Sequence, residues 1–157
     1  TTDNDLIIDL FDFFATVETD MTLFFRRLAD VPTDTTIEEV PAPLAESIYT
    51  SDPLEGESRA KLIDWMNVYC SRTRQAEIPD QARRTRMNAV NPIYVLRNYL
   101  AQMAIDQADQ GDPSMISKLL DVLRHPYDEV AGKEQFALKR PEWARHRAGC
   151  SMLSCSS

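Results

Sequence analysis

The spacing of apolar residues predicts helices through almost the whole chain. Over residues 3–18, apolar side chains recur at the three- and four-residue intervals of one helix face. They are Leu6, Leu10, Phe13, Phe14 and Val17. Asp20 is a preferred N-cap residue and predicts a second helix over 21–29.

A long amphipathic helix is predicted to begin at Ser58, and Pro79 ends or interrupts it. Its buried stripe contains Leu62, Trp65, Met66 and Tyr69. We expect Trp65, and also Trp143 nearer the C-terminus, to anchor the core.

Two Asn/Asp-Pro pairs predict where the helices of the second half begin. Asn91 is a preferred N-cap before a proline, and Gly111 suits the left-handed residue just past the end of that helix. Asp112 repeats the same start signal for a helix that Pro126 stops. A short helix is also predicted over 141–148.

The stretch 30–57 differs from the rest of the first half, because it contains four prolines and many Thr, Ser and Glu residues. It predicts a surface connection with one helical turn around 44–49. No alternating pattern of useful length indicates a strand. The predicted fold is therefore all-α, an irregular helical bundle forming one domain over 1–149, followed by a flexible Cys/Ser tail at 150–157.

Charge is divided unevenly along the chain, whose net charge is −8. Residues 1–57 hold 14 acidic and 2 basic side chains, and residues 58–157 hold 11 acidic and 15 basic ones. The acidic first third argues against nucleic acid as a partner of the whole chain. Membrane insertion is not expected either, because no apolar run approaches the roughly 20 residues that span a bilayer.

The first residues and the cysteine count bear on processing and location. The start is acidic where a signal peptide would be basic, and it lacks an initiating Met. Either the Met was removed or the chain is a piece of a longer protein. Three cysteines, an odd number, favour a reducing cytoplasm over a disulfide framework.

The residues themselves offer several kinds of chemistry, none with a specific motif. Neither a P-loop nor a GxGxxG pattern is present. A basic cluster could bind phosphate, although pairing with the acidic first third or a solvated face is the better interpretation. Its members are Arg72, Arg74, Arg83, Arg84 and Arg86.

The cysteines raise the question of a metal site. His146, Cys150 and Cys155 have H-x3-C-x4-C spacing, and Cys70 could supply a fourth zinc ligand. We hold zinc as a minority interpretation, because the ligands lie on a terminal tail without a CxxC knuckle. Cys70 lies next to the apolar stripe, where a small buried hydrophobe is the simpler interpretation.

Five segments resemble one known family. MNAVNPIYVLRNYLAQ (87–102), HPYDE (125–129), RPEWA (140–144) and the terminal SCSS are similar to the C-terminal region of the selenoprotein O family. DMTLFFRRL (20–28) resembles an earlier segment of that region. The long string is specific, and the shorter ones gain weight because they occur in the family's order.

The resemblance implies a parent protein with a kinase-like, pseudokinase fold that acts as a protein adenylyltransferase. Such enzymes transfer AMP from ATP to hydroxyl side chains of other proteins and use a divalent metal, expected to be magnesium. The family's ATP-phosphate and metal-binding residues lie upstream of the region matched here. We therefore expect this chain to be catalytically inactive by itself, and to be a structural and regulatory portion that packs against the catalytic lobe.

The resemblance also assigns a role to the tail. Family members carry a selenocysteine or cysteine with a redox role third from the C-terminus, and Cys155 occupies that place. Cys150 is a less favoured redox candidate. The alternative is a free-standing helical interaction module, with zinc at the tail.

Overall fold

Helices account for all the regular structure in the residues that the computed structural model describes, which are 2–50 and 54–150. Within those ranges there are seven α-helices: α1 Asp3–Thr16, α2 Met21–Leu28, α3 Ala42–Ala45, α4 Gly56–Arg74, α5 Asp80–Asn88, α6 Asn98–Asp109 and α7 Ser114–Arg124. Short 3-10 helices follow at Glu134–Phe136 and Glu142–Ala144. The described residues form no strand, so the all-α prediction is confirmed.

The chain divides into two compact units, Thr1–Asn91 and Pro92–Ser157. The sequence predicted one helical domain over 1–149. The division falls at a non-helical segment, 92–97, which separates the helices of the first unit from those of the second. No helix in the described ranges is long and apolar enough to cross a bilayer.

Local capping explains where the first two helices begin. Thr2 and Asp5 form a capping box, in which each side chain accepts a hydrogen bond from the other residue's backbone N–H. Asp20 Oδ1 accepts a hydrogen bond from the Leu23 N–H at 2.9 Å, which confirms the predicted N-cap of α2.

An aromatic cluster fills the core of the first unit, where α1 packs against α4. Phe24 is fully buried and meets Phe14 edge-on, with ring centroids 5.0 Å apart. Trp65 stacks on Tyr69 at 5.3 Å, and its indole N–H donates a hydrogen bond to the Leu6 carbonyl at 2.8 Å. The predicted role of Trp65 as a core anchor is confirmed.

The predicted surface connection over 30–57 is partly wrong. Its described residues have little regular structure, but Val31, Leu44 and Ile48 are at most 3% exposed. Asn67 holds the backbone of Ile37 by accepting from its N–H and donating to its carbonyl, both at 2.9 Å. The segment therefore contributes buried side chains to the core although most of its described residues are not buried, and its one helical turn is α3 rather than 44–49.

The prediction that the first helix of the second unit is capped by Asn91 is wrong. Helix α6 begins at Asn98, after the N-cap residue Arg97. The backbone N–H groups of Ile93 and Tyr94 instead donate to the Pro126 carbonyl, at 2.7 and 3.1 Å. This non-local pairing holds the residues after Asn91 in a non-helical conformation.

Helices α6 and α7 pack against each other as a hairpin. The predicted role of Gly111 is confirmed, because it has a φ of +92° just past the end of α6. Asp112 Oδ1 accepts a hydrogen bond from the Ser114 N–H at 2.9 Å, where α7 begins. The predicted short helix over 141–148 is reduced to the 3-10 turn Glu142–Ala144.

The described residues after α7, 125–150, complete the core of the second unit without forming a further α-helix. Phe136, Ala144 and Cys150 are at most 4% exposed and join the buried residues of α6 and α7. The prediction that Trp143 anchors the core is wrong, because it is 50% exposed.

Candidate functional site

The predicted basic cluster has a buried centre, Arg83 on α5. Arg83 is 6% exposed, and its guanidinium donates to the carbonyls of Leu28, Ala29 and Val31, at and just beyond the end of α2. It also pairs with Asp80 at 3.0 Å. An arginine that meets the last carbonyls of a helix compensates both their unpaired acceptors and the helix dipole.

Arg26 on α2 makes the reciprocal arrangement. It is 5% exposed and its Nη1 donates to the carbonyls of Asn88 and Asn91, at the end of α5. Each of the two helices thus supplies the arginine that caps the other. Sequence reasoning missed Arg26, because nothing local distinguishes a capping arginine from a surface one.

Other arginines of the cluster pair with the acidic first third, as the preferred interpretation predicted. Arg72 contacts Asp3 at 2.6 Å, and Arg84 contacts Asp30 at 2.9 Å. An open groove of about 320 Å³ runs beside Arg83 and Arg84, but Asp30 and Asp80 line it too. Arg72, Arg83 and Arg84 are therefore engaged with acids or carbonyls, whereas Arg86 is exposed, and the mixed lining of the groove does not favour phosphate.

Asp80 joins this network to the irregular segment after α2. Its carboxylate accepts from the Thr33 N–H at 2.9 Å and from the Thr33 hydroxyl at 2.8 Å. Burial raises the pKa of Asp80, but the hydrogen bonds from Thr33 and Arg83 outweigh it and hold the pKa below its usual value.

Cys70 is buried within α4, which confirms its interpretation as a small core residue. Its side chain is fully buried among the apolar residues of the first unit. Burial raises the pKa of the Cys70 thiol, because the thiolate would lose its hydration. Cys70 is thus an unreactive thiol while the first unit stays folded.

The zinc hypothesis gains no support from the described residues. Cys70 belongs to the first unit, and His146 and Cys150 belong to the second. Among the residues in 2–50 and 54–150, no group of three His, Cys, Asp or Glu side chains could hold a metal ion. Cys155 lies outside the described residues, so the tail zinc site stays a prediction.

Cys150, the less favoured redox candidate, lies among the buried residues of the second unit. This cysteine, which the sequence assigned to the tail, is free and 4% exposed. Its backbone N–H donates to the Arg147 carbonyl at 3.1 Å. The favoured redox residue Cys155 lies beyond the described ranges, and its role stays a prediction.

Arg147 ties this segment to α6. Its Nη2 lies 2.6 Å from Asp106 Oδ2, and Gln102 Nε2 donates to the other Asp106 oxygen at 2.9 Å. The hydrogen bond from Gln102 and then the Arg147 guanidinium lower the pKa of Asp106. Sequence reasoning missed this contact, because nothing local in the sequence pairs Asp106 with an arginine 41 positions later.

Comparison with known proteins identifies relatives of this chain. The family model described as protein adenylyltransferase SelO matches residues 1–124. The protein nucleotidyltransferase YdiU of Rhodopirellula baltica is 53% identical over 166 aligned residues, which cover 99% of this chain and 31% of the relative. The proteins of the same name from Aromatoleum aromaticum and Tolumonas auensis are each 49% identical, over 99% of this chain and 29% of theirs. The chain thus spans about three tenths of the length of these curated relatives.

Proposed function

We propose that this chain, which belongs to the SelO family of protein adenylyltransferases, is the C-terminal helical portion of such an enzyme rather than its catalytic part. The proposal rests on how much of each chain is aligned. Relatives named protein nucleotidyltransferases align with 99% of this chain, but the alignment covers only about three tenths of their own length. The resemblance of its segments to the C-terminal region of the family supports the assignment.

The parent enzyme, in this proposal, transfers AMP from ATP to a hydroxyl oxygen of a protein substrate, and pyrophosphate leaves. ATP and magnesium bind to the catalytic lobe. The present chain supplies a rigid helical support, in which two buried arginines tie the ends of α2 and α5 together.

The partner of the chain is the catalytic lobe of the same protein, and α1 offers an apolar surface for it. Ile7, Ile8 and Phe11 are each more than 50% exposed on this helix. An exposed group of large apolar residues commonly marks an interaction site. The greater length of the relatives supports the remainder of the parent polypeptide as the occupant.

Self-association of the isolated chain tests this surface. Without the lobe, the α1 surface should bring copies together, and light scattering should detect dimers or larger species. Replacing Ile8 and Phe11 by Ser should return the chain to a monomer, while Ser at Leu96, which is 56% exposed in the second unit, should not. A monomeric wild-type chain at high concentration would count against the surface.

Nucleotide binding tests the assignment to a non-catalytic portion. Calorimetric titration of this chain with ATP and Mg²⁺ should show no saturable heat, whereas the full-length parent should bind. A micromolar dissociation constant for the isolated chain would contradict the proposal.

The C-terminal cysteine is proposed to regulate the parent enzyme by its redox state. The resemblance of the SCSS terminus supports Cys155 as the redox residue and implies a cysteine of the catalytic lobe as its partner. In the reducing cytoplasm, where we place the parent, both thiols stay reduced. An oxidant such as oxidised glutathione takes two electrons from the pair, which releases two protons and leaves a disulfide that lowers activity.

Adenylylation rate against redox potential tests this role in the full-length parent. Cys155→Ala should abolish the redox dependence, and Cys150→Ala, the matched control in the same segment, should keep it. If the Cys155→Ala enzyme responds as the wild type does, Cys155 does not regulate it.

A further inference from the structure

We propose that Arg147 and Asp106 form an ionic latch that holds the segment 143–150 on α6, and that opening this latch makes the buried Cys150 thiol available for reaction. The inference goes beyond the redox role proposed for Cys155, because it concerns a second thiol and does not depend on that role. It concerns contacts within the second unit alone.

The ion pair is geometrically well defined but open to water. The Arg147 and Asp106 side chains are 43% and 32% exposed, and their closest atoms lie 2.6 Å apart. Gln102 fixes the other carboxylate oxygen, so that Asp106 presents one oxygen to the arginine. A partly exposed pair of this kind is weak enough to open under native conditions.

An aromatic pair also contacts the arginine. The Arg147 guanidinium lies 5.8 Å from the centre of the Trp143 ring, within the range of a cation–π contact. Trp143 meets Tyr99 of α6 edge-on at 6.4 Å, and the Tyr99 hydroxyl donates to the Leu138 carbonyl at 2.9 Å. Trp143 is half exposed, but it contacts both Arg147 and Tyr99 and so links the segment to α6.

Cys150 is coupled to the latch through the backbone. Its N–H donates to the Arg147 carbonyl, so the two residues belong to one turn of chain. Gly149 between them has a φ of +80°, and a Cβ there would lie 2.6 Å from Gln102 Oε1. The chain therefore passes close against α6 at Gly149, and releasing Arg147 frees the turn that keeps Cys150 buried.

Cys70 provides the internal reference for this proposal. It is buried in the middle of a 19-residue helix, so its exposure requires the first unit to open. Cys150 lies in the last described turn, so its exposure requires only that the latch and its turn detach. Thiols that react through transient opening report the population of the open state, and local openings are more frequent than global ones.

Alkylation by iodoacetamide, resolved at each cysteine by mass spectrometry, tests the latch in the 157-residue chain. Cys150 in the wild type should react more slowly than in the same chain unfolded in urea, and faster than Cys70 in the native chain. Asp106→Asn and Arg147→Gln should each raise the Cys150 rate roughly three- to tenfold, the range expected from losing a partly exposed ion pair and its cation–π support. The Cys70 rate should not change.

A neighbouring pair supplies the matched control. Glu142 lies 3.4 Å from Arg145 in the same segment, so Glu142→Gln removes an equal charge without touching the latch. It should leave the Cys150 rate unchanged. Exchanging the charges, with Asp106→Arg and Arg147→Asp together, should restore protection relative to either single variant, which a loss of folding would not allow.

Three results would overturn the latch: an unprotected Cys150 in the wild type, unchanged rates in both latch variants, or an equal increase in Glu142→Gln. None of these rates depends on adenylylation by the parent. If the latch passes this test but Cys155→Ala leaves the redox response of the parent unchanged, only the redox proposal is refuted. If the latch fails this test but Cys155→Ala abolishes the redox response, only the latch is refuted.

Discussion

The two units use arginine and tryptophan in opposite ways. In the first, Arg83 is buried against main-chain carbonyls and Trp65 lies in the core. In the second, Arg147 and Trp143 remain partly exposed and face each other near the end of the described chain. The same residue types thus stabilise a buried core in the first unit and a releasable contact in the second, because the side chains differ in how far they are removed from solvent.

Trp65 and Trp143 should give the largest contrast in stability. Trp65→Ala removes a buried ring and its hydrogen bond to Leu6, and should lower the free energy of unfolding by roughly 3–5 kcal/mol. Trp143→Ala should cost less than about 1 kcal/mol, because its ring is already half exposed. Denaturant unfolding followed by far-UV circular dichroism compares the two, and equal losses would show that exposure does not separate these tryptophans.

Replacing Arg83 should cause the next largest loss of stability. Arg83→Met keeps most of the side-chain volume but removes the guanidinium donor from the carbonyls of Ala29 and Val31, while Leu28 keeps its hydrogen bond from the Val31 N–H; the expected cost is about 3 kcal/mol. Arg86 is exposed on the same helix, so Arg86→Met should stay within about 0.5 kcal/mol. The same denaturant unfolding experiment measures both, and a mild Arg83→Met variant would show that water replaces the guanidinium.

Asp80 should make the stability of the first unit depend on pH. Because its pKa is lower in the folded than in the unfolded chain, its contribution is full above the unfolded value and is lost as pH falls through the folded value. Asp80→Asn should therefore destabilise the chain at neutral pH, by less than Arg83→Met because Asp80 is 37% exposed, and the difference should shrink in acid.

Unfolding free energies of the wild type and Asp80→Asn at neutral pH and at about pH 3 check this. Asp9→Asn, at an exposed position of α1, is the control for removing a carboxylate from the same unit. A difference between wild type and Asp80→Asn that grows on acidification would reverse the predicted sign.

Helix capping should give the smallest effects. Asp20→Ala removes the N-cap of α2 and should cost about 1 kcal/mol. Asn91→Ala should change the unfolding midpoint little, within about 0.5 kcal/mol, because no helix begins there and the Asn91 contact to Arg26 uses its backbone carbonyl. A cost at Asn91 equal to that at Asp20 would indicate a side-chain role that the helix bounds do not explain.

Local chemistry was enough to predict much of the fold. The apolar stripe of α4, the cap at Asp20 and the turn at Gly111 all follow from neighbours within a few residues, so the sequence contains their full cause. The family resemblance was equally readable, because it rests on residue strings rather than on geometry.

Contacts between distant residues decided the rest. Asn91 has the chemistry of a helix start, yet the Pro126 carbonyl, more than 30 positions away, captures the N–H groups that would have begun that helix. Arg83 and Arg86 look alike in sequence, and only the end of α2 makes one of them a buried cap. Cys150 has the local sequence of a flexible tail, but its segment contacts α6 through Arg147 and Asp106, and Cys150 itself is 4% exposed. In each case a partner brought close by folding outweighs the local preference, because buried polar groups must find hydrogen bonds wherever the chain supplies them.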